Sequence, residues 1–522
     1  MPRGPRAVLT TIALLAQYGA VAAASSTAHK LPLASLPGPP PLPWRWQPLH
    51  MRTIASSALS QLSAPPPSPS PPPPSPPPTG SSTKPSLKGL QVAVLGAHME
   101  GNVGDEYETS PLLAKLGEWG VCFDIFLAEW QKGDPIHELN PRAAREFRYA
   151  RAVYTFEETQ TVRLARLGSY DAVIHSPGPT VSLNQEIWED GLNNATVIWA
   201  GVTVVHNAHL MKRFASGQMR STRLILCREI SSIAVIAKAA GTSVGALIRK
   251  GQSNEMAAAG LEELMIQSTR VLLSGDFSFS FSPNGALLGY WQRWYQRALL
   301  PKVRTAGDRK KIYVLFVRAH HHVQLATGTN GSHIKVRVFD DSKCTLQGAY
   351  QHLETHEMVI EKASVFLATS DTTPKGDGAL FSSLKVKLQL ADDQLIFLES
   401  PEQMLGLLGC FGASTNRDLT VISDRYHPAL AAHRVGAAVK FIAVEKPKGS
   451  NNEVADIHKM IGLCKMIHSY SAEESRALNS IAWGALERAL HDARVRSDRR
   501  SGDNRATRVR KEESWSISQH FR

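Results

Sequence analysis

The chain has 522 residues, with 58 Lys and Arg against 46 Asp and Glu, a formal charge of +12, and 43% hydrophobic against 20% charged residues. Such a length and composition exclude collagen-like, wholly disordered and multi-span membrane classes and point to two domains with tails. The basicity belongs to the ends: residues 1–99 hold seven Lys or Arg and no acid, residues 491–522 hold nine against five acids, and residues 100–490 carry only +1.

At the N-terminus, residues 1–24 read as an export element. Arg3 and Arg6 precede the apolar run Ala7–Ala24, and Ala22, Ala23, Ala24 and Ser25 offer a cleavage site. The run is close to the lower limit of a bilayer span and contains Thr10, Thr11, Gln17 and Tyr18, so a cleaved signal peptide and a single type II membrane anchor both fit. The absence of acid and the wealth of Ser and Ala also fit an organellar transit peptide, the plastid alternative. Residues 25–88 form a Pro/Ser-rich disordered stalk. Between Pro65 and Pro78 eleven of fourteen residues are Pro and three are Ser, which favours extended polyproline II over helix or sheet.

From Leu87 onward strands and helices alternate. Apolar runs of strand length occur at Gln91–Ala97, Val121–Ala128, Tyr170–Ser176, Ala195–Val205 and Arg223–Cys227, with helices predicted over Ser110–Trp119 and Ser231–Ala240. A second series follows: strand Lys311–Val317, helix Gln347–Lys362, strand Gln394–Leu398, helix Pro401–Leu408, strand Leu419–Ser423, helix Pro428–Arg434 and strand Ala438–Val444. Apolar strands separated by helices imply parallel sheets covered on both faces. The expected fold is α/β, with an N-terminal Rossmann-like domain over 89–290 and a C-terminal one over 300–470, a cleft between them, and a helical then disordered basic tail over 471–522.

Ligands of open parallel sheets sit beyond the carboxyl ends of strands, and three such ends carry candidate chemistry. After the first strand comes Gly101-Asn102-Val103-Gly104-Asp105-Glu106. Its glycines permit close backbone approach, Asn102 can orient a ligand, and Asp105 stands at a helix entrance, where an N-cap is the competing role. After Arg223–Cys227 comes Arg228-Glu229-Ile230-Ser231. Arg228 beside a helix N-terminus suits a carboxylate or phosphate, against a plain ion pair with Glu229. After Leu419–Ser423 comes Asp424-Arg425-Tyr426-His427-Pro428. On extended backbone Arg425 and His427 would point the same way, one binding an anion and the other supplying a proton.

Together these segments, with Ile225–Gly241 and Ser400–Lys446, resemble the polysaccharide pyruvyl transferase family over roughly 90–465. The resemblance implies a glycosyltransferase-B-like fold and transfer of a pyruvyl group from phosphoenolpyruvate, the donor substrate, to two hydroxyls of a glycan acceptor as a cyclic ketal. His427 and Asp105 are then the catalytic candidates, and Arg228, Arg425, Asn102, Gly101 and Gly104 bind substrate. No cofactor or metal is implied. A nucleotide-sugar glycosyltransferase of the same architecture and a non-catalytic carbohydrate-binding relative are the alternatives. The export element and stalk before such a domain suggest the secretory pathway, in the Golgi lumen. Tyr170–Pro179 departs from the glycine-rich turn of relatives, and Gly251–Thr269 and Thr327–Lys343 are insertions.

Other features read as structural. His320–His322 alternate faces, Asp340-Asp341 suits a turn, and the Arg-rich tail lacks the interleaved aromatics that stack bases, so no nucleic-acid partner is expected. The five cysteines show no metal-ligand spacing; Cys122 and Cys227 read as buried thiols, with room for one or two disulfides.

Overall fold

The computed structural model describes residues 86–97, 103–127, 149–154, 169–178, 195–204, 221–241, 264–266, 268–303, 310–318, 325–327, 333–339, 344–345, 353–359, 362–370, 381–412, 417–443 and 451–520. Residues from Thr83 onward form one compact unit. The export element, the stalk up to residue 85, His320–His322 and Asp340-Asp341 lie outside the described residues.

Strands β1 (Gln91–Ala97), β2 (Cys122–Leu127), β3 (Ala150–Tyr154), β4 (Ala172–His175), β5 (Thr196–Val202), β6 (Thr222–Cys227), β7 (Leu264–Ile266) and β8 (Thr269–Leu273) make one sheet, ordered β3-β2-β1-β4-β5-β6-β8-β7. Every neighbouring pair is parallel except β7 with β8. Strands β4 and β5 are buried along their whole length, as a sheet covered on both faces demands. The second sheet holds β9 (Lys310–Phe316), β13 (Ala363–Thr369), β14 (Leu395–Phe397), β15 (Arg417–Ser423) and β16 (Ala438–Phe441), all parallel, in the order β14-β13-β9-β15-β16. Two Rossmann-like sheets in one α/β unit match the two halves expected from the strand pattern, and agree with the glycosyltransferase-B-like fold that the resemblance implied.

Helices α1 (Val103–Glu118) and α2 (Ile230–Ala239) belong to the first half, and α3 (Gly285–Ala298) follows it. The second half contributes α4 (Phe381–Leu388), α5 (Pro401–Gly412), α6 (Tyr426–Arg434) and α7 (Asn451–Ser469). A last helix, α8, runs from Ala472 to His520. It starts with a capping box: the Ser471 N–H donates to Glu474 Oε2 at 2.6 Å, and the Glu474 N–H donates to Ser471 Oγ at 3.1 Å. Its Ala482, Ala485, Leu486, Ala489, Leu490 and Ala493 recur at helical spacing and pack into the core beneath β1, with Leu90, Val92 and Phe123. The first turns of α8 therefore pack on the sheet that contains β1. The tail expected to be helical and then disordered has its helix assigned as far as His520.

A second correction concerns Gln347–Lys362, expected as helix. Leu353–Val359 is instead β12, antiparallel to β11 (His333–Phe339), which pairs in turn with β10 (Leu325–Thr327). Ile334, Val336 and Met358 are fully buried and alternate with polar neighbours. Cross-strand pairing thus prevails where a mixed sequence also suits a helix. One disulfide, Cys344–Cys464, joins the segment after β11 to α7 across 120 residues. Cys227 is a buried thiol as expected, while Cys122 is half-buried. Among the described residues no helix is long and apolar enough to cross a membrane.

Candidate functional site

Helix α1 links the two halves. Its Val103 N–H donates to the Ser370 carbonyl, 3.0 Å away and just past β13. Val103 and Tyr107 pack into the core of the second sheet, whereas Leu112, Leu113 and Leu116 pack into the first. Its first turn holds Asp105 and Glu106, where the exposed N–H groups favour negative charge. Asp105 is thus a residue of the first turn rather than the cap. Glu108 lies three residues further on, along the same helix face.

Arg228 ends β6 and is wholly buried. Its Nη1 lies 2.7 Å from Glu108 Oε2 and 3.5 Å from Asp276 Oδ2, and its Nε donates to Thr203 Oγ1 at 2.5 Å and stands 3.5 Å from Glu229 Oε2. The guanidinium also stacks 4.1 Å above the ring of Tyr426, the first residue of α6. Asp276 is fixed in turn, because its Oδ1 accepts the Ser278 N–H at 2.8 Å. Asn479 of α8 donates to the Ser274 and Asp276 carbonyls at 2.8 and 3.0 Å. Arg228 therefore stands among three carboxylates, paired through Nη1 and Nε, while its Nη2 has no hydrogen-bond partner among the described residues.

His427 enters this network from the second half. Its Nε2 lies 3.2 Å from Glu108 Oε2 and 3.8 Å from Asp276 Oδ2. Gly104 makes room for the ring: a Cβ there would fall 2.3 Å from His427 Nδ1. The approach expected of a glycine at this point is thus to a side chain of the other half. Arg425 and His427 do not share extended backbone. Arg425 is the N-cap of α6, with its N–H donated to Ser423 Oγ at 2.8 Å, and His427 sits in the first helical turn. Helix α6 starts two residues before Pro428, which the first turn tolerates. Likewise α2 starts one residue before Ser231, where the predicted helix begins, and Glu229 occupies the N-cap position.

The carboxyls of the cluster differ in their electrostatics. Burial, with the nearby Glu108 charge, pushes Asp105 up to about 7 against the pull of His427, Lys459 and Arg228. Burial also acts on Glu108, but His427 and Arg228 outweigh it and hold that carboxyl at about 2. Burial pushes Glu229 up to about 7 despite Arg228. The Tyr426 hydroxyl is pushed far up by burial.

Of the residues singled out from sequence, Gly104, Asp105, Arg228 and His427 are brought together, with Arg425 adjoining at the cap of α6. Gly101 and Asn102 lie outside the described residues. Sequence reasoning missed Glu108, Asp276 and Lys459. Spacing from Asp105 could have found Glu108, and the position of Asp276 just past β8 follows the same strand-end rule as Arg228. Among the described residues two groups could hold a metal ion: Asp105, Glu108 and His427, and Cys344, Cys464 and His468, whose cysteines are bridged.

No family model matches the chain, and no curated relative does. Among solved structures it is similar to a UDP-GlcNAc 2-epimerase from Methanocaldococcus jannaschii in complex with UDP-GlcNAc and UDP, at 11% identity and TM-score 0.37, covering 76% of this chain and 99% of that one. It is also similar to an O-GlcNAc transferase mutant from Thermobaculum terrenum, at 11% identity and TM-score 0.35, covering 79% of this chain and 69% of that one. For the ADP-heptose LPS heptosyltransferase II of E. coli the identity is 12% and the TM-score 0.29, covering 75% of this chain and 98% of that one.

Proposed function

We propose that the chain is a transferase that moves a group from an anionic donor onto a hydroxyl of a glycan, at the junction of the two sheets. The observation that carries this reading is the convergence of charged side chains from the strand-end segments after β1, β6, β8 and β15 in one network. Strand ends of this kind are where open parallel sheets bind their ligands. Within the network Glu108, Arg228, Glu229 and Asp276 are at most 1% exposed, whereas Asp105 and His427 are 8% and 5% exposed. Asp105 and His427 are thus the members that meet substrate, Asp105 orienting the acceptor hydroxyl and His427 facing the leaving oxygen of the donor. Arg425 and Gly104 adjoin them, and Gly101 and Asn102 keep the substrate-binding role that the resemblance implies.

Two donors fit. A nucleotide sugar is favoured by the state of Arg228. Phosphoenolpyruvate carries a carboxylate and a phosphate and calls for two cations, and the three carboxylates around Arg228 engage one of those expected. Pyruvyl transfer from phosphoenolpyruvate is favoured by the resemblance of the Arg425–His427 block to the pyruvyl transferases. Incubating the full chain with galactosides and either phosphoenolpyruvate or uridine, guanosine and adenosine diphosphate sugars separates them by product mass. A ketal supports the first donor and a glycosyl adduct the second; neither product from a folded sample overturns the transferase reading. The same reading places the protein in the secretory pathway, in the Golgi lumen.

A further inference from the structure

An acidic cluster is a poor receptor for an anionic donor. Asp105, Glu108, Glu229 and Asp276 bring four carboxylates to the junction, and Arg228 and Lys459 bring two permanent positive charges. Buried charge of this kind is expensive unless it is paired or binds a metal.

We propose that Asp105, Glu108 and His427 bind a divalent cation, of the Mn²⁺ or Zn²⁺ class, at the junction of the two halves. Each offers a donor atom, and the three atoms lie within 4.8 Å of one another. His427 Nε2 supplies a second, independent observation. Its side chain is 6% exposed, its Nε2 stands 3.2 Å from Glu108 Oε2 and 3.8 Å from Asp276 Oδ2, and among the described residues neither Nε2 nor the buried Glu108 Oε1 makes a well-aligned hydrogen bond. Metal–ligand bonds of about 2.1 Å set adjacent ligands at right angles about 3 Å apart, close to the 3.2 Å between His427 Nε2 and Glu108 Oε2. One imidazole with two carboxylates suits Mn²⁺ or Zn²⁺ better than Ca²⁺ or Mg²⁺, which prefer all-oxygen sets.

The surroundings support ligation. Arg228 holds Glu108 Oε2 at 2.7 Å, as outer partners commonly hold ligating carboxylates. Gly104 packs against the His427 ring and fixes its orientation. A divalent cation would offset this crowding of carboxylates and tie α1 to α6. It also deepens the transferase reading, on which this last point rests: the donor would approach the cation, and His427 would meet the leaving oxygen through it.

Binding can be measured with no donor present, so its failure and that of the transferase reading are distinguishable. The metal-stripped, oxidised full chain is titrated with Mn²⁺ and with Zn²⁺ by calorimetry, and bound Mn²⁺ is followed by electron paramagnetic resonance. The expected result is one ion per chain, a rise in the unfolding temperature on binding, and an affinity lowered about 100-fold or more in both Asp105→Asn and His427→Gln. His468→Ala, beside the Cys344–Cys464 bridge, should bind as the wild type does. Asp105→Asn is the more exposed and nearly isosteric change, so it carries the test if His427→Gln fails to fold. Absence of stoichiometric binding by either ion, or equal affinity in the wild type and Asp105→Asn, would overturn the proposal.

Discussion

Replacing Arg228 by methionine tests what the buried guanidinium does. The change removes the 2.7 Å contact to Glu108, the 2.5 Å hydrogen bond to Thr203, the 3.5 Å ion pairs to Glu229 and Asp276, and the stacking on Tyr426 at 4.1 Å. Methionine fills much of the volume, so the loss is electrostatic rather than a cavity. Removing one partner of a buried ion pair costs about 3–5 kcal/mol, chiefly because the other charge is left unpaired. Here three carboxylates share that partner, and a desolvated cation–π contact adds about 2 kcal/mol. A loss near the upper end, about 5 kcal/mol, is expected, which is a large part of the ~5–15 kcal/mol that holds a typical domain together. Urea unfolding followed by circular dichroism near neutral pH reads it directly. Arg228→Lys keeps the charge but not the fork and should fall between. If Arg228→Met unfolds within about 1 kcal/mol of the wild type while losing affinity for an anionic donor, Arg228 is a ligand-binding group and the network described above is not what it serves.

Reducing the Cys344–Cys464 bridge, which closes a loop of 120 residues, should lower stability by up to about 5 kcal/mol in the chain-entropy treatment. A melting temperature unchanged by dithiothreitol would show that the bridge does not form. Gly104→Ala places a Cβ 2.3 Å from His427 Nδ1, so the ring must move. A displacement of about 1 Å can cost 10²-fold in turnover, so transfer should fall steeply while circular dichroism is retained; unchanged turnover would separate His427 from the chemistry. Glu229, raised to about 7, takes up a proton on folding. The stability tied to it is present below its unfolded pKa of about 4.3 and drains away as pH climbs through 7. Glu229→Gln should therefore match the wild type in acid and exceed it in alkali, and denaturation across pH that finds the variant weaker in alkali would refute the assignment.

The strand pattern made both parallel sheets legible because buried parallel strands are continuous apolar runs, as in Ala172–His175 and Thr196–Val202. Even so, Ala363–Thr369 and Thr269–Leu273 went unpredicted, being short and flanked by mixed sequence. Leu353–Val359 was misassigned because its register comes from His333–Phe339, a partner that local periodicity does not name. The site was legible where chemistry follows a strand: Arg228 after β6 and His427 after β15. Their meeting across the junction was not, since it depends on how α1 docks against both sheets. The pairing of Arg228 was hidden for the same reason. Its partners Glu108, Asp276 and Thr203 come from three other segments.

That junction also explains why a folded region with almost no net charge gathers so much charge in one place. The first half brings Asp105, Glu108, Arg228, Glu229 and Asp276, whose carboxylates outnumber their single cation. The second half brings His427, Tyr426 and Lys459, with Lys459 Nζ 5.4 Å from the Tyr426 ring. Each half alone presents unbalanced groups that only water could satisfy. Closed together, they replace water with fixed partners. Buried ion pairs rarely add net stability over apolar packing, because desolvation consumes most of the attraction. Their contribution is one of geometry: a single arrangement satisfies the cluster, so the halves meet in one register, with Asp105 beside His427. Any residual negative charge opposes that closure, and a proton on Asp105 or Glu229 or a bound cation relieves it. The balance of charge at the junction is thus met by the two halves jointly rather than by either alone.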